Sequence, residues 1–140
     1  VISFSTRKPL TYSVYPEIRV TSWTGKYLFA ELFTWALYLL GYEALFRGVL
    51  LFGLAQSLGP VAAITISVIL YSAAHLPKSR TETLAAIPFG LVLCLLTLYS
   101  GSIWIAFFAH LVNAFAMTLT AIKFNPAMNF AKSGERSSIV

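Results

Sequence analysis

Long apolar blocks separated by short polar stretches organise this chain. From Lys26 to Leu58 it is almost continuously apolar, interrupted by Glu31, Glu43, Arg47, Gly48 and Gly53. As a single helix this run extends about 50 Å, against a hydrocarbon core of about 30 Å. It must protrude, tilt or break, and Gly41 and Gly48 are the expected break points. The turn signal at Ser57–Pro60 leads into a second segment, Val61 to Leu76, ended by Pro77. After a charged loop, Lys78–Thr83, a third segment runs from Leu84 to Tyr99, with kinks expected at Pro88 and Gly90. Ser100–Ser102 forms a tight turn before a fourth segment from Ile103 to about Ile122. Residues 1–25 are mixed and polar and read as an interfacial or cytosolic lead-in. Residues 26–123 read as the transmembrane domain and residues 124–140 as a flexible tail. The expected fold is all-α, a polytopic membrane helix bundle of about four transmembrane helices.

Composition strengthens this picture. Hydrophobic residues make up 58% of the 140 positions and charged residues only 11%, where a soluble domain carries about 25% charged residues. Aspartate is absent, and five glutamates face ten Lys and Arg, for a formal charge of +5. No compact basic patch with interleaved aromatics is present, so the positive charge is expected to meet a membrane surface and not a nucleic acid. Its distribution also sets topology. With four spans, Arg7, Lys8, Arg19, Lys26, Lys78, Arg80, Lys123, Lys132 and Arg136 fall on one side. The loops at Ser57–Pro60 and Ser100–Ser102, on the other side, hold no Lys or Arg. By the positive-inside rule both termini are expected to be cytoplasmic. The single cysteine, Cys94, lies in an apolar segment and reads as a small buried hydrophobe.

The candidate chemistry lies in the ionisable groups that interrupt the apolar blocks. A charge in hydrocarbon costs a few kcal/mol or more unless it is paired or faces a polar cavity, so such groups mark sites. Glu43 and Arg47 are four residues apart and share a helix face as an ion pair. His75 ends the second segment, with Tyr71 and Ser67 four and eight residues before it on one stripe. His110 lies in the fourth segment with Asn113 three residues later. Taken singly, each group reads as structural: a neutralising pair, or a satisfied histidine. Together they suggest a site. A hairpin turning at Ser57–Pro60 brings Glu43 level with His75, where the two can share a water or a metal ion. Ideal helix rise leaves His110 about 13 Å off that level. Glu31, nearer the Lys26 end, reads as interfacial. No HExxH zinc motif, phosphate-binding glycine loop or GxSxG elbow is present.

The order EALFRG, YSAAHLP and GSIWIAFFAHLVN resembles the CPBP family of intramembrane proteases, the CAAX-prenyl-protease-related and bacteriocin-processing proteins also called the Abi family. The resemblance covers about Gly41 to Phe115. It implies hydrolysis of a peptide bond by water, with Glu43 and His75 orienting or deprotonating that water. Arg47 would hold Glu43, and His110 with Asn113 would stabilise the oxyanion. It also implies a peptide or protein substrate, prenylated or transmembrane, and residence in a bacterial cytoplasmic membrane. A glutamate-type mechanism needs no cofactor. A metal-dependent one would take Zn2+ on Glu43, His75 and His110. Two positions depart from the family pattern: Tyr42 stands where the first motif glutamate is expected, and Ala114 where the asparagine is expected. These departures carry the alternative, a catalytically degenerate member acting as a membrane scaffold or bacteriocin-immunity protein. A small transport or proton-relay protein is a third reading of the same buried groups.

Overall fold

The computed structural model describes residues 15–130. The lead-in up to residue 14 and the tail beyond residue 130 lie outside the described residues. The architecture is all-α, with one two-residue ladder. Strand β1 (Ser22–Trp23) is followed by helix α1 (Gly25–Glu43), a π-helical segment (Ala44–Leu51) and helix α2 (Phe52–Leu58). Helices α3 (Pro60–Ala73), α4 (Arg80–Ser100) and α5 (Trp104–Phe124) come next, and strand β2 (Asn129–Phe130) ends the described chain. Three helical runs, Gly25–Leu58, Arg80–Ser100 and Trp104–Phe124, are long and apolar enough to cross a membrane, and Pro60–Ala73 is a shorter apolar helix. The protein is therefore an integral membrane protein.

Local chemistry sets the element ends. Gly59 takes φ +82° at the end of α2, and Pro60 opens α3, where a missing N–H costs nothing. The Ser79 side chain accepts a hydrogen bond from the Glu82 N–H at 3.1 Å and caps α4. Gly101 closes α4 in the left-handed conformation, at φ +65°. The first run does not break at Gly41 or Gly48. It continues as helix, with a change to π geometry from Ala44 to Leu51 across Gly48. Pro88 likewise sits inside α4 without ending it.

The chain forms two compact units, residues 38–110 and the remainder, with α1 and α5 each contributing to both. In the unit of residues 38–110 the polarity of a soluble protein is reversed. On α3 the buried stripe is Ala63, Ser67, Tyr71 and Ser72, while Val61, Ile69 and Leu70 are exposed. On α4 the buried set is Ala86, Gly90, Leu93, Cys94 and Thr97, with Leu84, Leu91, Val92, Leu95 and Tyr99 exposed. Small and hydroxyl-bearing side chains inside, with large aliphatic ones outside, is the arrangement expected of helices packing in lipid. Leu51, Ala63 and Cys94 form its apolar core cluster, so Cys94 is the buried hydrophobe its surroundings in the sequence suggested.

In the other unit, β1 and β2 pair in parallel, Ser22 opposite Asn129 and Trp23 opposite Phe130. The Ser22 hydroxyl donates to Asn129 Oδ1 at 3.1 Å. Val20, Trp23 and Ile122 form a core against Ile18, Tyr27, Leu28 and Met128. Glu31 is fully buried, not interfacial as its nearness to Lys26 suggested. Its carboxylate accepts the backbone N–H groups of Glu17 and Ile18, each at 2.9 Å, and Trp35 Nε1–H at 3.2 Å. Three donors offset the desolvation of one carboxylate, which explains how it is tolerated there.

Candidate active site

Every member of the site cluster belongs to the unit of residues 38–110. Glu43 is the last residue of α1 and immediately precedes the π segment; its side chain is fully buried. π-helical turns are rare and recur at functional sites. Arg47 lies within this segment and is also buried. Its Nη1 straddles the Glu43 carboxylate, 3.2 Å from Oε1 and 3.1 Å from Oε2. The ion pair expected from the i,i+4 spacing is present.

His110, on α5, completes the contact. Its Nδ1 lies 2.6 Å from Glu43 Oε1, a short charge-assisted hydrogen bond. Ideal-helix counting had placed His110 as the poorly aligned histidine and His75 as the level one. The structure brings His110 into direct contact with Glu43 despite that count. One physical reason is the π segment that begins immediately after Glu43. Each of its turns takes an additional residue, so counting 1.5 Å per residue misplaces what lies on either side.

His75 sits differently from the expected position. Helix α3 ends at Ala73, and His75 lies in the turn beyond it, half-buried. Its backbone N–H bonds to Ser72 O at 3.0 Å, and its Nδ1 lies 2.9 Å from Tyr71 O. A carbonyl only accepts, so Nδ1 carries the proton in that bond and Nε2 is the free basic nitrogen. His75 reaches the rest of the cluster through Tyr71, whose ring centroid is 4.7 Å from that of His75 and 5.9 Å from that of His110. The Arg47 guanidinium carbon lies 4.4 Å from the Tyr71 ring centroid, a cation–π contact that receives a cation otherwise short of partners.

Aromatic rings close the remaining sides. Phe89 meets His110 edge-on at 5.6 Å. Tyr42, at the position expected for the first motif glutamate, stacks on Phe46 at 4.4 Å and meets Tyr71 and His110 edge-on at 5.8 and 6.0 Å. Its hydroxyl is buried without a hydrogen-bond partner among the described residues. Asn113 falls in the other unit, half-buried, three residues beyond His110 on the same helix; Ala114 beside it is buried.

The metal set written for a metal-dependent route, Glu43, His75 and His110, is not assembled as ligands. Among the described residues no group of three or more His, Cys, Asp or Glu is placed to hold a metal ion. The Arg47 cation already occupies the Glu43 carboxylate. Sequence reasoning missed Phe89 beside His110 and Gly90 behind Tyr71. The Tyr71–His75 spacing marked Tyr71 in advance, whereas no signal in the sequence marked Phe89 or assigned Gly90 more than a kink.

Fold and site together define a polytopic α-helical membrane protein with a buried glutamate–arginine–histidine cluster. Residues 24–116, about two thirds of the chain, match the family described as type II CAAX prenyl endopeptidase Rce1-like. The chain belongs to that family, in keeping with the resemblance carried by its three motifs. No curated protein and no solved structure gives a significant match.

Proposed function

We propose that this chain is an intramembrane endopeptidase that hydrolyses a peptide bond with water, acting through Glu43, Arg47, His75 and His110. The observation that carries this reading is the 2.6 Å contact between Glu43 and His110 inside apolar segments, in a member of a CAAX-type endopeptidase family. A buried carboxylate, a guanidinium and an imidazole in direct contact are expensive to maintain in a membrane unless they serve chemistry. In this reading His75 uses its free Nε2 to take a proton from the attacking water as the water oxygen bonds to the scissile carbonyl carbon. His110, held through Nδ1 by the Glu43 carboxylate, stabilises the oxyanion. As the tetrahedral species collapses and the C–N bond breaks, the proton on His75 passes to the leaving amine. Arg47 fixes the Glu43 carboxylate.

The substrate class that goes with this reading is a prenylated or transmembrane peptide presented from the bilayer. The expected location is a bacterial cytoplasmic membrane, with the basic loop Lys78–Thr83 on the cytoplasmic side. Purified protein in detergent should cleave a prenylated or transmembrane peptide. Glu43→Ala and His75→Ala should each lower that rate by about 100-fold or more. A second reading is favoured by Tyr42, whose ring fills the place of a motif glutamate: a degenerate member that binds without cutting. If wild type cleaves nothing and Tyr42→Glu restores cleavage, the second reading replaces the first.

A further inference from the structure

Gly90 on α4 has no room for a side chain. A Cβ built there would stand 2.7 Å from Tyr71 Cδ1, 3.2 Å from Cε1 and 3.5 Å from Cγ. The atoms in the way belong to a rigid ring that is itself buried, so they cannot swing aside as the tip of a flexible chain does. The same ring carries the Arg47 guanidinium on one contact and the His75 imidazole on another. The Tyr71 carbonyl also accepts the His75 Nδ1 hydrogen bond. Tyr71 thus touches both the Glu43–Arg47–His110 group and His75.

We propose that Gly90 and Tyr71 form a positioning device for His75 and Arg47. The missing Cβ at residue 90 lets the Tyr71 ring seat deeply enough to hold Arg47 against Glu43 while Tyr71 O fixes the tautomer of His75. This rests on the peptidase reading above and adds two residues to it, neither of which touches the reacting atoms. A small residue at a helix contact in a membrane is ordinarily explained by packing alone. What separates the two explanations is the ring orientation and tautomer of His75, which packing leaves unspecified.

The chain has only two histidines, so its imidazoles can be read by 15N NMR in detergent and assigned with His75→Gln. Wild type should show His75 as its Nδ1–H tautomer. Gly90→Ala should convert that signal to a mixture and lower cleavage of a farnesylated peptide by about 100-fold, the cost of an ångström-scale misplacement. Tyr71→Phe, which keeps the ring and the carbonyl, should retain both the tautomer and most of the rate. Tyr71→Ala keeps that carbonyl but removes the ring packed on the imidazole, so it should loosen the orientation of His75, seen as a mixed signal, and lose the rate. Adding Gly90→Ala to it should cost little more, because the clash then has no ring to strike. The proposal is overturned if Gly90→Ala leaves the His75 signal and the rate unchanged, or if the two substitutions lower the rate additively. Should Gly90→Ala fail to fold, Tyr71→Phe against Tyr71→Ala decides alone, and equal loss in both sinks the idea. A tautomer that responds as expected in a wild type that cuts nothing removes the peptidase reading and leaves the positioning.

Discussion

Arg47 is buried with one nitrogen on Glu43, while Nε and Nη2 have no hydrogen-bond partner among the described residues. The Tyr71 ring beneath it supplies the remaining attraction. Removing one member of such a pair leaves the other charged and desolvated, which costs about 3–5 kcal/mol. Arg47→Ala should therefore lower thermal stability in detergent by about that amount. The double change Glu43→Gln with Arg47→Met, which removes both charges, should cost clearly less. A double variant as unstable as Arg47→Ala would mean that the pair is held by shape and not by charge. The i,i+4 spacing revealed this pair without any structure. Both histidines were visible in sequence, but the partner of His110 was not, since its Nδ1 meets Glu43 across 67 residues of chain.

The connection between α2 and α3 turns on Gly59. Its φ of +82° and ψ of 163° lie in a region that essentially only glycine occupies, and a Cβ there would meet no atom within 4 Å. Gly59→Ala thus isolates backbone strain from packing, and the expected loss is about 1–3 kcal/mol in thermal unfolding. An unchanged midpoint would show that the turn relaxes freely. The turn itself was legible from Ser57–Pro60. The π segment was not, because the sequence of Ala44–Leu51 carries no local signature separating an i→i+5 turn from an ordinary helical one. Gly48 marked the right place and the wrong event: the helix widens there and does not break. Pro88 and Gly90 were read as kinks; α4 runs unbroken through both, and Gly90 makes a close contact besides.

For the molecule as a whole, the four-segment reading makes a topological prediction. Single cysteines placed at Ser79, Ser57 and Ser102, with Cys94 changed to Ala, should label from opposite faces of the membrane. Residue 79 should react with an impermeant thiol reagent on the cytoplasmic face, and residues 57 and 102 on the other. Labelling of all three from one face would overturn the topology. The basic residues define the sides, and the 14-residue length of α3 makes the test informative. At 1.5 Å per residue that helix covers about 21 Å, less than the core it must cross. In a four-span topology the turn residues Ala74–Leu76, with His75 among them, would complete the passage.

The sequence alone determined the class of this protein: an all-α membrane chain whose segments, turn positions and charge asymmetry follow from blocks of hydropathy. These are local or additive properties, and solvation by lipid enforces them residue by residue. The sequence also made the buried ionisable groups visible, because a charge is conspicuous in an apolar run. Tertiary structure decided how they meet. It joined His110 to Glu43, moved His75 off the end of its helix, and set Tyr71 between Arg47 and His75 against a glycine. Each of those outcomes depends on helix register and close packing, which a shift of one residue per turn is enough to change, and no count along the chain contains it.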